Sequence, residues 1–331
     1  MTPLLEVEDL RVTFQTRYAT IEAVRGIGFA VREGETLAIV GESGSGKTAA
    51  ALAIADLLSK EGSLVKGKIL LQGVDLLSLP TRARRHARGG QMGVVFQDPM
   101  TSLNPLMKIG RQITETIRHR KGVTRDEAKR RACRLLERVG IAEADRRFNQ
   151  YPHEFSGGMR QRVMIALALA CEPKLLIADE PTTALDVTIQ AQILELLQTV
   201  QRESGTSILL ITHDLGVVAQ VADRMVVMYA GQIAEQGKTE PLFAAPAHPY
   251  TRALLASVPR GGLQAIIPGS PPDLSHPPPG CPFAPRCPYA MGICKQRRSS
   301  PYSLSPNQIS SCWLHHPKAK GQRELFLQEK R

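Results

Sequence analysis

The segment GESGSGKT, from Gly41 to Thr48, combines glycines, hydroxyls and one lysine at a spacing that suits phosphate binding. The glycines permit a tight turn whose backbone N–H groups point at phosphate oxygens. Lys47 can reach the terminal phosphates, and the Thr48 hydroxyl can serve as a ligand of Mg²⁺. The predicted nucleotide-binding loop therefore consists of Gly41, Glu42, Ser43, Gly44, Ser45, Gly46, Lys47 and Thr48.

The sequence on either side of this loop supplies the elements that it requires. Thr36 to Val40 is a short apolar run that predicts a buried strand. AAALAIADLL, which follows the loop and ends at Leu58, consists largely of good helix formers. The loop is thus expected between a strand and the first turn of a helix, whose N-terminus attracts anions.

A second candidate site, which consists of two acidic residues, follows another apolar run. Lys174 to Asp179 reads KLLIAD, and Glu180 comes directly after it. At the end of a buried parallel strand, Asp179 can hold the water shell of Mg²⁺. Glu180 points in another direction and can polarise an attacking water molecule as a general base.

Length and charge narrow the possible functions. The chain has 331 residues, a formal net charge of +11 and a pI of about 9.6. Such charge suits nucleic acid, an anionic membrane face or an acidic partner. Without interleaved aromatic residues, the arginine-rich stretches 82–88 and 118–138 favour a solvated helix face over base stacking. We recognise no signal peptide and no run long enough to span a bilayer, and expect an intracellular protein with reduced thiols.

Four cysteines gather near the end of the chain, behind the proline-rich stretch 268–280. In a reducing compartment a metal site is favoured over disulfides, and the C-x5-C-x6-C spacing is looser than that of most zinc sites. Three cysteines in one loop and a fourth farther on suit a 4Fe–4S cluster, with unligated thiols as the alternative. The predicted ligands, in a small unit of their own, are Cys281, Cys287, Cys294 and Cys312.

Five motifs in fixed order make the chain resemble the nucleotide-binding subunit of an ABC transporter between Leu4 and Gly237. They are GESGSGKT, the glutamine Gln97 after an apolar strand, FSGGMRQR, the ALD motif Ala184 to Asp186 behind the acidic pair, and SILLITHD. Phe155 and Met159 stand where Leu and Gln are common in the family, and neither supplies the core phosphate contact.

The resemblance implies a role for each matching residue. Gln97 touches Mg²⁺ and water, and His213 contacts the γ-phosphate. Ser156, Gly157 and Gly158 bind the γ-phosphate held by an opposite subunit, and Asp186 lies in a loop at that dimer interface. Phe14 and Tyr18 are both candidates for stacking on adenine. The catalytic set so implied is Glu180, His213 and Gln97, with Thr48, Gln97 and Asp179 around Mg²⁺.

The expected fold is an α/β ABC-type P-loop NTPase with a mostly parallel sheet, an antiparallel β subdomain and a helical subdomain. We expect the nucleotide-binding domain over residues 1–245, with the helical subdomain at about 99–170, and a metal-cluster extension over 246–331. The sequence also predicts a helix from Arg125 to Val139, a helix opened by Asp186, and a hairpin turning at Ala230-Gly231. Cys133 and Cys171 are expected within helices as packing residues.

The tail narrows the resemblance to one subfamily. HPYTRALL and GCPFAPRCPYAMGIC are similar to segments of oligopeptide, dipeptide and nickel importer ATPases, members of which carry a 4Fe–4S cluster. The resemblance implies an ATPase on the cytoplasmic face of the cell membrane, using ATP and Mg²⁺. Its partners would be two transmembrane permease subunits, a second ATPase, identical or a sister chain, and, indirectly, an extracytoplasmic solute-binding protein, without nucleic acid. A nickel or other small-solute importer, a redox sensor and a nucleic-acid-associated ABC ATPase are the alternatives.

Overall fold

The computed structural model describes residues 3–59, 61–183, 185–258 and 267–328. The strands, numbered in chain order, are β1 (Leu5–Gln15), β2 (Thr20–Val31), β3 (Thr36–Val40), β4 (Ser63–Leu71), β5 (Val74–Asp75), β6 (Met92–Val95), β7 (Leu175–Asp179), β8 (Ser207–Ile211), β9 (Arg224–Tyr229), β10 (Gln232–Lys238), β11 (Tyr302–Ser305) and β12 (Gln308–Ser310). The helices are α1 (Lys47–Ile54), α2 (Thr81–Arg88), α3 (Pro99–Ser102), α4 (Ile109–Lys121), α5 (Arg125–Arg138), α6 (Ala144–Arg147), α7 (Gly157–Leu169), α8 (Val187–Ser204), α9 (Leu215–Val221), α10 (Thr239–Ala244), α11 (Pro249–Ala256), α12 (Gly292–Gln296) and α13 (Lys320–Gln328).

The chain forms two compact units. The first consists chiefly of Val31–Thr36 and Leu71–Ile211, and the second of Leu5–Ala30, Leu37–Leu70 and the described residues from Thr212 onward. In the first unit, β6, β7 and β8 pair in parallel, with Val95 opposite Ala178 and Asp179 opposite Ile211. Every residue of β7 and β8 is buried, as expected for parallel strands covered on both faces.

The second unit contains the strand that leads into the nucleotide-binding loop. In it, β3 pairs in parallel with β9, which pairs antiparallel with β10, and β10 pairs antiparallel with β12. Strands β2, β1 and β4 lie side by side in a separate sheet. The hairpin between β9 and β10 turns at Ala230 and Gly231, with φ of 47° and 77°, so the predicted turn is confirmed.

Two predicted helices have the expected bounds. Helix α5 spans Arg125–Arg138 and is capped by the Thr124 hydroxyl, which accepts a hydrogen bond from the N–H of Glu127. Helix α8 is capped by the Asp186 carboxylate and ends at Gly205, which adopts a left-handed φ of 64°. The charges on α5 are largely exposed and pair with one another, as at Glu127 with Arg130 and Arg131, which fits a solvated helix face.

Two details differ from the sequence prediction. Helix α1 ends at Ile54, four residues before Leu58, because Asp56 adopts a φ of 51° that an α-helix does not permit. Cys171 lies beyond the end of α7 and not within a helix, whereas Cys133 is buried in α5 as expected. The division of the chain at residue 245 stays a prediction.

The cysteine-containing segment shares a core with strands of the second unit. Phe283 is buried in the same apolar cluster as Val40, Val227, Tyr229 and Tyr250. Its ring centroid lies 5.4 Å from that of Tyr229 and 5.3 Å from that of Tyr250. The segment after the proline-rich stretch therefore packs as part of the second unit.

We expect Phe283→Ala to lower the free energy of unfolding by about 3 kcal/mol, because it removes a buried ring and leaves a cavity. Urea unfolding of the full chain measures this loss. The control is Tyr18→Ala, which removes a ring that is 96% exposed and should change the stability by less than about 0.5 kcal/mol. Equal urea midpoints for Phe283→Ala and the unaltered chain would contradict the shared core.

Candidate nucleotide-binding and hydrolysis site

The nucleotide-binding loop lies between β3 and α1, as its flanking sequence predicts. β3 is buried at every residue and ends at Val40, and α1 begins at Lys47. The backbone turns through φ of 75° at Gly44 and 96° at Gly46, values that favour glycine. Alternating left-handed residues of this kind create a concave run of N–H groups that binds anions.

Two close backbone approaches hold the loop in place. A Cβ atom at Gly41 would overlap the carbonyl oxygen of Met228, and one at Gly46 would overlap that of Ala23. The N–H of Gly231, at the hairpin turn, donates a hydrogen bond to the carbonyl of Ser45 at 2.9 Å. These neighbours fix the loop against β2 and β9, and they explain two of its glycines by space as well as by φ.

The loop is open where phosphate would enter. Ser43, Gly44 and Thr48 are exposed, and nothing lies within 4 Å of a Cβ built on Gly44. The ammonium of Lys47 is buried and donates to the carbonyl oxygens of Gly41 at 2.8 Å and Glu42 at 3.0 Å. A cradle of N–H groups with a lysine at the helix start fits the triphosphate of a nucleotide.

Glu42 has partners that the sequence does not indicate. Its N–H donates to the Tyr250 hydroxyl at 2.9 Å, and its carboxylate pairs with the Arg286 guanidinium at 2.7 Å. Burial raises the pKa of Tyr250, so its phenol stays neutral. Both partners come more than 200 positions later in the chain, and no local pattern near either of them predicts this contact.

Two of the three predicted hydrolytic residues, Gln97 and Glu180, come together at the carboxyl ends of parallel strands in the first unit. Gln97 follows β6 by two residues, and Glu180 follows β7 directly. The Gln97 amide donates to a Glu180 carboxylate oxygen at 3.0 Å, and the Thr183 hydroxyl donates to the same oxygen at 2.9 Å. Asp179 is buried at the last position of β7.

Glu180 is held in an uncommon backbone conformation. Its φ of 47° is left-handed, a conformation that is costly for a non-glycine residue and that recurs at functional sites. Its N–H donates to the carbonyl of Ile211 at 2.8 Å, which fixes this conformation beside the end of β8. Thr183, which orients the carboxylate, is a residue that the motif analysis missed, although it lies in the PTT segment directly behind the acidic pair.

The SGG motif forms the start of α7. The Ser156 hydroxyl caps the helix by accepting from the N–H of Met159, and Gly157 and Gly158 occupy the first turn. Ser156 and Gly157 are exposed, whereas a Cβ at Gly158 would press on Ile189. Gln161, farther along the helix, donates to the carbonyl of Pro181 at 2.6 Å, and so ties α7 to the loop behind Glu180.

The remaining predicted site residues are placed as follows. Asp186 is exposed and caps α8, and Ala184 lies outside the described residues. His213 is exposed two residues beyond β8 and before α9. Phe14 is half-buried in β1, whereas Tyr18 is 96% exposed in the turn that follows β1, so the adenine-stacking residue stays a prediction.

All four late cysteines line one small cavity of the second unit, together with Phe283, Tyr289 and Leu314. The N–H of Cys281 donates to the carbonyl of Cys294 at 2.7 Å. A Cβ at the preceding residue, Gly280, would overlap that same carbonyl, so the close approach of these two backbone segments requires glycine.

The predicted iron–sulfur extension is not supported as a formed metal site. Across the described residues, no three His, Cys, Asp or Glu side chains are grouped closely enough to hold a metal ion. Burial raises the pKa of the Cys281 and Cys312 thiols and raises that of Cys287 to about 12, which disfavours the thiolate that ligates metal. All four thiols nevertheless line the same cavity.

None of the described helices is long and apolar enough to cross a bilayer. Residues 24–183 match the family model described as ABC transporter, and residues 234–294 match the model described as oligopeptide/dipeptide transporter, C-terminal region. The second match includes Tyr250, Arg286 and three of the four late cysteines.

Two similar proteins align with nearly the whole chain. The oligopeptide transport ATP-binding protein OppD of Bacillus subtilis is 53% identical over 325 residues, which are 96% of this chain and 91% of that protein. The dipeptide transport ATP-binding protein DppD of the same organism is 49% identical and covers 97% of each chain.

Solved structures agree on the fold. The dimeric, post-hydrolysis structure of the ATP-binding cassette MJ0796 bound to ADP and Pi has a TM-score of 0.64 at 28% identity, over 71% of this chain and 98% of that one. The cbiO1 protein of Clostridium perfringens, part of the ABC transporter complex cbiONQ, has a TM-score of 0.63 at 30% identity, over 74% and 92%. The chain therefore has the ABC ATPase cassette fold and belongs to the family of oligopeptide and dipeptide ABC transporter ATP-binding proteins.

Proposed function

We propose that this chain is the ATP-hydrolysing subunit of a peptide importer, acting on the cytoplasmic face of the cell membrane. The observation that carries the proposal is the loop from Gly41 to Thr48, which is open to a triphosphate and fixed by close backbone approaches. Peptides are the proposed class of transported substrate, because relatives about 50% identical over nearly all of the chain are named as oligopeptide and dipeptide transport proteins.

Each proposed role follows from the chemistry of a side chain. Lys47 neutralises charge on the terminal phosphates, and the Thr48 hydroxyl with the Asp179 and Gln97 oxygens would hold Mg²⁺. When bound, the ion withdraws charge from the phosphate oxygens. Glu180 accepts a proton from the attacking water as a general base, and His213 donates a hydrogen bond toward the γ-phosphate.

The second set of phosphate contacts is proposed to come from another ATPase chain. Ser156, Gly157 and Gly158 present a helix N-terminus that is exposed and carries positive potential. The similar MJ0796 cassette is dimeric. We infer that this helix start acts on a nucleotide held by a partner ATPase, identical or a sister chain, and that Asp186 lies near that interface.

The transport path is proposed to belong to other proteins. Two transmembrane permease subunits would supply it, and an extracytoplasmic solute-binding protein would deliver the peptide to them. ATP binding and hydrolysis in this chain would then close and reopen the ATPase pair. The basic surface stretches suit a position near an anionic membrane face.

We also propose that Cys281, Cys287, Cys294 and Cys312 bind a 4Fe–4S cluster. Two facts support the assignment: all four thiols line one cavity, and four thiolates are the common donor set of such a cluster. Assembly would require loss of the thiol protons, which raised pKa values oppose and bound iron favours.

The variant Glu180→Gln tests the catalytic assignment. The amide keeps the shape and the contacts with Gln97 and Thr183 but cannot accept a proton, so we expect ATP turnover to fall at least about a hundredfold while ATP binding persists. Phosphate release and nucleotide binding measure the two properties in the complex with its membrane partners. Glu195→Gln, an exposed change on α8, is the control and should leave turnover unaltered. Near-normal turnover by Glu180→Gln would contradict the general-base role, provided that both ATPase chains carry the change.

Iron and sulfide analysis of anaerobically purified protein tests the cluster. We expect about four iron atoms per chain and broad absorbance at about 400 nm. Both should be lost in Cys287→Ser, because a cubane cluster needs all four thiolates. Cys171→Ser, a half-buried thiol outside the quartet, should retain both. Stoichiometric zinc without iron, or four freely titrating thiols without metal, would refute the assignment.

A further inference from the structure

Glu42 places a negative charge inside a loop that must bind a highly charged anion. An uncompensated carboxylate there would repel the phosphates. The structure directs this side chain toward Arg286, with 2.7 Å between the carboxylate oxygen and the guanidinium nitrogen. The Arg286 side chain is 6% exposed and that of Glu42 is 22% exposed, so solvent screens the pair only in part.

Arg286 is held from several sides. Its guanidinium donates to the carbonyls of Pro268 at 2.8 Å and Ile267 at 3.1 Å, and to the Tyr229 hydroxyl at 3.1 Å. A planar guanidinium with its donors satisfied in this way has little freedom left. It therefore fixes the position of the Glu42 carboxylate.

Tyr250 fixes the backbone of the same residue. Its hydroxyl accepts the Glu42 N–H, and its ring is fully buried against Tyr229, with 4.5 Å between ring centroids. The carbonyl of Glu42 in turn accepts from the Lys47 ammonium at 3.0 Å. A shift of Glu42 would consequently move the group that accepts from Lys47.

We propose that Arg286 and Tyr250 are positioning residues for the nucleotide site, and that the cysteine-containing tail thereby sets the affinity of the loop for ATP. Arg286 cancels and redirects the Glu42 charge, and Tyr250 holds the Glu42 backbone. The inference rests on the proposed assignment of Gly41 to Thr48 as the phosphate loop. Arg286 directly precedes Cys287, so the state of the cysteine cavity and the geometry of the loop are joined through one side chain.

Equilibrium binding of a fluorescent ATP analogue and its ADP counterpart to the full-length chain tests the proposal. Arg286→Met keeps much of the aliphatic stem and removes the charge. We expect it to weaken ATP binding about tenfold and ADP binding by less, because repulsion from Glu42 rises with the charge of the nucleotide. Tyr250→Phe, which keeps the ring and loses the acceptor, should weaken both nucleotides about fivefold.

The double variant Glu42→Gln/Arg286→Met distinguishes positioning from simple structural damage. With the carboxylate gone, the guanidinium is no longer needed, and ATP affinity should return to within about threefold of the unaltered chain. Arg286→Lys, which keeps the positive charge, should weaken ATP binding less than Arg286→Met does. The matched control is Arg297→Met, an exposed arginine of the same tail, which should change neither nucleotide affinity.

The outcomes separate this inference from the proposed function. If Lys47→Ala abolishes ATP binding while Arg286→Met, shown to be folded by circular dichroism, binds ATP as before, only the inference is overturned. It is also overturned if the double variant binds ATP as weakly as Arg286→Met does, or if Arg286→Met weakens ATP binding and ADP binding by the same factor. If Lys47→Ala binds ATP normally, the phosphate loop itself is misassigned. Should Arg286→Met fail to fold, Arg286→Lys with and without Glu42→Gln provides the same comparison.

Discussion

The nucleotide-binding loop depends on a close approach between its backbone and two carbonyl oxygens, those of Ala23 and Met228. Only glycine fits at Gly46 and Gly41, because a Cβ atom would occupy the space of those oxygens. The hairpin turn adds a hydrogen bond from Gly231 to Ser45. The loop is thus held mainly by backbone groups of β2 and β9, which leaves the N–H groups of its exposed part available for phosphate.

The position of the two proposed hydrolytic residues, Gln97 and Glu180, follows from a second constraint, the geometry of parallel strands. Strands that run in parallel end at the same edge of a sheet, so residues just beyond β6 and β7 come together although more than 80 positions separate them in sequence. Gln97 and Glu180 meet there at 3.0 Å. The left-handed conformation of Glu180 turns the chain directly after the buried strand, so a carboxylate that would be costly inside the core lies at its edge.

The sequence was sufficient where the signal is local. The bounds of α5, the Asp186 cap of α8, the turn at Ala230 and Gly231, and the strand before Gly41 each depend on a few neighbouring residues, and each was predicted within a residue or two. The end of α1 was missed because Asp56 leaves the helical conformation among residues that otherwise favour a helix. The partners of Glu42 were missed for another reason. Arg286 lies 244 positions away, and a contact between distant residues leaves no periodicity or spacing that a single sequence can reveal.

The contact between Glu42 and Arg286 changes how the C-terminal segment is understood. Cysteine spacing and the proline-rich stretch predicted a small metal-binding unit separate from the nucleotide-binding domain. Phe283 instead lies in the core of the second unit, and the residue directly before Cys287 neutralises an acid of the phosphate loop. An unpaired Glu42 carboxylate would repel a bound triphosphate, because solvent screens a half-buried charge only in part. In this chain the cation that pairs with the acid of the loop is Arg286, and it comes from the cysteine-containing tail.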